Sequence, residues 1–181
     1  MKISRRRFTH LGIAAAASHA LMARARAADF AFRYMVASSM YGDLSLKEIV
    51  PEVPKTGSTL IDLWPKRHGT QREEVDEMGV DAFRALLKKH GVTLGATTRY
   101  DLGPFKLTDE ISFVSDLGGD LIVCGGKGPK DLSGDALKAA VKEFAELLKP
   151  HADRAAEKGV RIGIENHANN LIDSADSLKW L

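Results

Sequence analysis

Beyond Ala28 the apolar positions fall into two alternating regimes: short β-rich runs and longer stretches that repeat about every 3.6 residues. Phe32 to Ala37 predicts a first strand, and a short helix beginning near Ser45 follows, interrupted by Pro51 and Pro54. Ser58 to Leu63 predicts the second strand. Thr70-Gln71-Arg72-Glu73 has the form of a capping box, in which the Thr oxygen and the Glu carboxylate accept from otherwise unpaired N–H groups. The helix it opens carries Val75, Met78, Phe83, Leu86 and Leu87 on one face and is expected to run to Gly91, a left-handed cap. Val92 to Thr97 predicts the third strand. The next helix, Thr108 to Leu117, has Asp109 and Glu110 at its positive end and is stopped by Gly118-Gly119. Leu121 to Cys124 predicts the fourth strand. Ser133 caps a long helix with Leu137, Val141, Phe144 and Leu148 on one face; Pro150 is expected to kink or divide it, and Gly159 to end it. Val160 to Glu165 predicts the fifth strand, and Asp173 to Leu181 a fifth helix.

Strands separated by helices at roughly 30-residue intervals imply right-handed crossovers and a parallel sheet. A weak internal repeat agrees: Lys89 to Gly95 and Glu157 to Gly163 share the order helix end, glycine cap, buried strand. A dinucleotide fold should carry G-x-G-x-x-G after its first strand, but Ala37-Ser38-Ser39-Met40-Tyr41-Gly42 stands there. Gly125-Gly126-Lys127-Gly128 lacks the Walker spacing and reads as a tight turn, although Lys127 could contact a phosphate. The expected class is α/β, a partial TIM (β/α)8 barrel with about five βα units. Closure takes eight strands and about 250 residues, so the chain is expected to be the N-terminal part of a longer barrel, poorly stable alone.

Composition is ordinary for a globular α/β protein, with 44% hydrophobic and 28% charged residues. Charge changes the picture at the N-terminus. Ser4-Arg5-Arg6-Arg7-Phe8, the apolar run Leu11 to Leu21 and Ala25-Arg26-Ala27 have the order of a twin-arginine signal with its cleavage site. Residues 1–27 are therefore expected to be removed and 28–181 exported to the periplasm or cell envelope, with no stable membrane insertion afterwards. Those first 27 residues hold six cations and no acid, so the formal +2 of the chain becomes −4 for the remainder. An acidic domain without a basic stripe offers no footprint for nucleic acid. Cys124, the single cysteine, excludes an intramolecular disulfide and reads as a small buried hydrophobe.

In a barrel, chemistry collects where the strands end. Polar residues stand there in every unit: Ser38 and Ser39; Asp62, Trp64 and His68; Thr97, Thr98 and Arg99; Cys124 and Lys127; Glu165, Asn166 and His167. Glu165 ends a buried run, where its charge needs a divalent metal or an ion pair from a neighbouring strand's Arg or Lys. His68 is a substrate or metal contact or a solvated loop histidine; His167 a site residue or a partner of the next turn. Asp62 and Trp64 could orient a ligand group and wall a sugar site, or be packing and ion pairing. Asn166 is a possible partner for a sugar hydroxyl. His90 and His151 fall on helices away from the strand ends and read as surface residues.

Gly159-Val160-Arg161-Ile162-Gly163-Ile164-Glu165-Asn166-His167 resembles the fifth-strand motif of the xylose isomerase-like TIM-barrel superfamily. Ile61-Asp62-Leu63-Trp64-Pro65 with His68 resembles the second-strand end of its exported members. The resemblance implies a metal-dependent sugar or sugar-phosphate isomerase or epimerase acting on a small carbohydrate. It also implies a divalent ion (Mn, Mg, Co or Zn) held by Glu, Asp, His and Glu from successive strands. Only the first ligand matches here, at Glu165, which serves as an acid/base in related epimerases. The other three would lie beyond Leu181, so the chain by itself is expected to lack isomerase activity. Alternatives are a metal-dependent hydrolase or endonuclease of the same superfamily and a non-catalytic carbohydrate-binding barrel.

Overall fold

The structure, a computed structural model, describes residues 32–181. The signal and cleavage motifs lie outside the described residues. Tyr34–Leu181 form one compact unit. Its strands are β1 (Met35–Ala37), β2 (Leu60–Leu63), β3 (Thr93–Thr98), β4 (Leu121–Gly125) and β5 (Arg161–Glu165). Between and after them lie α1 (Leu46–Ile49), α2 (Gln71–Met78), α3 (Val80–Lys89), α4 (Thr108–Asp116), α5 (Gly134–Glu157) and α6 (Ala175–Trp180). Short 3-10 turns cover Ser38–Tyr41 and Val50–Thr56.

The sheet settles the choice of architecture. All four strand pairings are parallel, and the spatial order is the sequence order, β1-β2-β3-β4-β5. A doubly wound sheet reverses direction at a switch point; a singly wound one adds each strand to the same edge and keeps its helices on one face. This is a five-stranded arc of a barrel wall.

Side-chain parity follows from that arc. Val36, Ile61, Leu63, Leu94, Ile122 and Cys124 are buried in one cluster with Ile49, Val53, Val75, Phe83, Ile111 and Val114 from the outer segments. Each such fully buried side chain contributes about 1.5–3 kcal/mol. Leu137, Val141 and Phe144 of α5 form a second cluster with Leu171 and Ile172. Among the described residues no helix is long and apolar enough to cross a membrane.

Three local expectations fail for identifiable reasons. The helix after the second strand is two helices: Gly79, at φ 86° and ψ 148°, leaves helical geometry while the apolar repeat continues across it. Thr70 does not cap α2, because its ψ of 6° departs from the extended backbone a cap requires. Glu73 accepts instead from the Lys66 N–H at 3.2 Å, and it is Glu48 that accepts the N–H of Ser45, at 3.1 Å. Pro150 does not divide α5, which runs unbroken from Gly134 to Glu157. Glu146, whose carbonyl a proline four residues on cannot pair, is exposed to water.

Candidate active site

Parallel pairing brings the carboxyl ends of the strands to one rim. Asp62 pairs with Ala37 on β1 and Ala96 on β3, while Gly125 pairs with Glu165. The β2–β3 register shifts between Ile61 and Asp62, leaving Gly95 unpaired as a bulge. The extra residue changes the parity of β3: Leu94 stays in the outer core, whereas Thr98 turns to meet Asp62. A Cβ at position 95 would come within 2.4 Å of Met35 Sδ.

Two donors fix the Asp62 carboxylate. Trp64 Nε1 donates to it at 2.7 Å and Thr98 Oγ1 at 2.9 Å. The Trp64 backbone N–H donates to Ser38 Oγ at 3.0 Å, joining the exits of β1 and β2. Burial pushes the Asp62 carboxyl up to about 6, against the lowering effect of its two hydrogen bonds; the nearby negative charge of Glu165 adds to the rise. Asp62 holds its proton more tightly folded than unfolded, so its contribution is fullest below about pH 4 and is lost as pH rises through 6. The loss is at most about 3 kcal/mol, from a rise of about two pK units. Urea unfolding of Asp62→Asn across pH 4–7 should lack this decline; an unchanged slope would place its origin elsewhere.

Aromatic rings continue the wall. Trp64 meets His68 edge-on at 5.4 Å and Tyr100 at 5.7 Å, and Tyr100 tilts against His167 at 6.2 Å. Ser39, Trp64, His68, Tyr100, Glu165 and His167 line a cleft of about 340 Å³. Glu165 is exposed in it rather than ending a buried run, so burial does not oblige it to take a cation; its carboxylate makes no hydrogen bond or ion pair with any described residue. The arginine that follows β3, two strands away, is committed elsewhere. Arg99 pairs with Asp101 at 2.7 Å and with the buried Glu110, which also takes Arg72 Nη2 at 3.2 Å. Arg72 stacks over the Phe113 ring, 3.9 Å from its centroid. This network beneath the rim holds Arg99, and with it the backbone next to Tyr100.

The segment after β5 folds back onto the end of β4. Leu171 and Ile172 donate N–H groups to the Gly126 carbonyl, and the His167 N–H donates to Ile172. Only glycine allows so close an approach: a Cβ at 126 would sit 2.4 Å from Ile172 Cγ1. Of the residues proposed from sequence, Asp62, Trp64, His68, Glu165 and His167 gather at this rim. Asn166 is exposed and lines no described hollow there; the amide in the cleft wall belongs to Asn170. Tyr100 was missed, although its place just after the third strand's polar end could have flagged it. On the outer face, burial pushes the Cys124 thiol up to about 12, which keeps it an unreactive neutral thiol. His90 ends α3, and His151 lies on α5 against Phe105, at 5.6 Å.

An exposed carboxylate without a cation, next to the half-buried carboxyl of Asp62, suits a divalent ion. Yet among the described residues no three His, Cys, Asp or Glu groups converge closely enough to hold one. The donor set fits a metal from one side only, with Glu165 as the protein oxygen available to it.

A family model described as Xylose isomerase-like TIM barrel matches residues 50–180. A comparison with curated proteins found no match. Among solved structures, an IolI protein with a bound zinc is similar at TM-score 0.65 and 14% identity, over 81% of this chain and 56% of that one. A xylose isomerase-like TIM barrel protein from Mycobacterium smegmatis in complex with magnesium is similar at TM-score 0.58 and 12% identity, over 79% and 57%. D-psicose 3-epimerase in the presence of D-fructose is similar at TM-score 0.56 and 15% identity, over 82% and 60%. The chain thus spans less than two thirds of the length of these structures, and at such identities the likeness is one of fold. Five parallel strands in sequence order, helices on one face, and a family match over 131 residues lead to one conclusion: this chain belongs to the xylose isomerase-like TIM barrel family.

Proposed function

We propose that the protein is a metal-dependent isomerase or epimerase of a small carbohydrate, with Glu165 as its first metal ligand. The observation that carries this is Glu165, which has no cation partner among the described residues, in a cleft walled by Trp64 and Tyr100 and close enough to Asp62 for their charges to interact. The zinc and magnesium in two structural neighbours and the ketohexose present with a third support the same reading. Further ligands would come from parallel strands that continue the sheet past β5.

When bound, a divalent ion polarises neighbouring sugar oxygens and so acidifies the adjacent C–H bond. The chain's own residues perform the remaining tasks. Glu165 holds the ion and moves the proton between carbon and carboxylate. Asp62, fixed by Trp64 and Thr98, keeps a second carboxyl beside Glu165 that can carry the proton near neutral pH. Trp64 and Tyr100 offer apolar ring faces to the C–H side of a sugar, and His68 and His167 offer ring nitrogens to its hydroxyls. Residues 1–27 direct export by the twin-arginine route, and the acidic remainder does not favour nucleic acid.

The test is an assay of the intact protein against ketoses and their epimers, before and after chelation. Interconversion that is lost with chelator and restored by Mn²⁺ or Mg²⁺ is expected. Sugar binding indifferent to chelator, with no turnover, would instead make this a carbohydrate-binding barrel.

A further inference from the structure

The rim contains a second compartment with different chemistry. His68, Tyr100, Gly125, Lys127, His167 and Asn170 line a hollow of about 250 Å³. It shares His68, Tyr100 and His167 with the compartment that holds Glu165, so one ligand can span both. No carboxylate of the described residues lines it. The two halves of one mouth therefore carry opposite charge, acid at one end and lysine at the other.

Lys127 is placed for this end by close contacts. Its stem lies over Gly103: a Cβ there would meet Lys127 Cδ at 3.4 Å and Nζ at 3.6 Å, and the φ of +64° already disfavours a side chain. Lys127 forms no ion pair with a described residue, although three acids, Asp62, Asp101 and Glu165, stand at the same rim. Asn170 brings its amide against β4, where a Cβ at Gly125 would be 2.9 Å from Nδ2. The Nδ1–H of His167 is held by the Ala168 carbonyl at 2.9 Å, so the ring serves the hollow as a wall and an acceptor rather than as a donor to the anion. An ammonium and an amide N–H group at a hollow lined by no described carboxylate form an anion's donor set.

We infer that the hollow bounded by Lys127, His167 and Asn170 takes an anionic group of the substrate, a phosphate ester or a carboxylate, while its uncharged end lies toward Glu165. This rests on the reading of the cleft as a small-molecule site and adds the substrate's charge to it. Neutral sugars would leave Lys127 without a counter-charge; an anionic substrate would be oriented end to end by the polarity of the mouth.

Calorimetric titration of the metal-free intact protein with inorganic phosphate and, separately, with acetate tests it. Binding of at least one is expected, weakened about 10-fold or more in Lys127→Met, largely kept in Lys127→Arg, and unchanged in Lys138→Met on exposed α5. Tighter phosphate points to a phosphate ester, and tighter acetate to a carboxylate. Binding of neither anion, or equal weakening by Lys138→Met, overturns the inference. Glu165→Gln should leave anion binding intact, so failure of the metal reading and failure of this subsite appear in different variants.

Discussion

Glu165→Gln is expected to lower kcat of the intact protein by about 10²-fold or more, while unfolding free energy moves by less than about 0.5 kcal/mol. The two halves of that expectation have different origins. The Glu165 carboxylate is exposed and makes no hydrogen bond or ion pair with a described residue, so its loss removes little that holds the fold. Removing its charge even relieves the repulsion that helps raise Asp62. Its whole value lies in what it offers to an ion and to a transferred proton, and glutamine can supply neither the charge nor the base. Steady-state kinetics together with urea unfolding reads both quantities. Activity within a factor of a few of the native protein would remove Glu165 from the chemistry.

Glu110→Ala should have the opposite profile, with a loss of about 3–5 kcal/mol in urea unfolding. Glu110 is 3% exposed and, among the described residues, is the only carboxylate shared by Arg72 and Arg99. Deleting it leaves two guanidinium groups at the edge of the core. Asp76 and Asp101 remain as their outer partners, at 2.6 and 2.7 Å, so the fold is weakened rather than abolished. Because Arg99 precedes Tyr100, looser binding to the cleft should accompany the lost stability. A change below about 1 kcal/mol would show that the network is replaceable by water and packing.

The five strands were legible because short β-rich runs between glycine-ended helices leave little choice of topology. Sequential winding in place of a doubly wound sheet also followed from the missing glycine fingerprint after β1. The carboxylates Asp62 and Glu165 were legible as polar residues ending apolar runs. What escaped depends on register and on chain return. Thr98 meets Asp62 only because a bulge at Gly95 alters the parity of β3, which no periodic pattern displays. Asn170 replaces Asn166 in the cleft wall because the segment after β5 is drawn back onto Gly126, a contact set by two distant glycine-sized gaps. Glu110 looked like a helix-end acid favoured by the macrodipole; only the packing of α4 against α2 and β3 turns it into the partner of two arginines. Gly79 hid its helix break inside an uninterrupted apolar repeat.

Anomalous diffraction at the manganese edge, from crystals of the intact protein grown with Mn²⁺, tests the metal reading most directly. The expected result is a single strong peak at the strand rim, with a Glu165 carboxylate oxygen within about 2.0–2.6 Å of it. No peak there, or an ion held by other residues while Glu165 pairs with an arginine, would contradict the assignment.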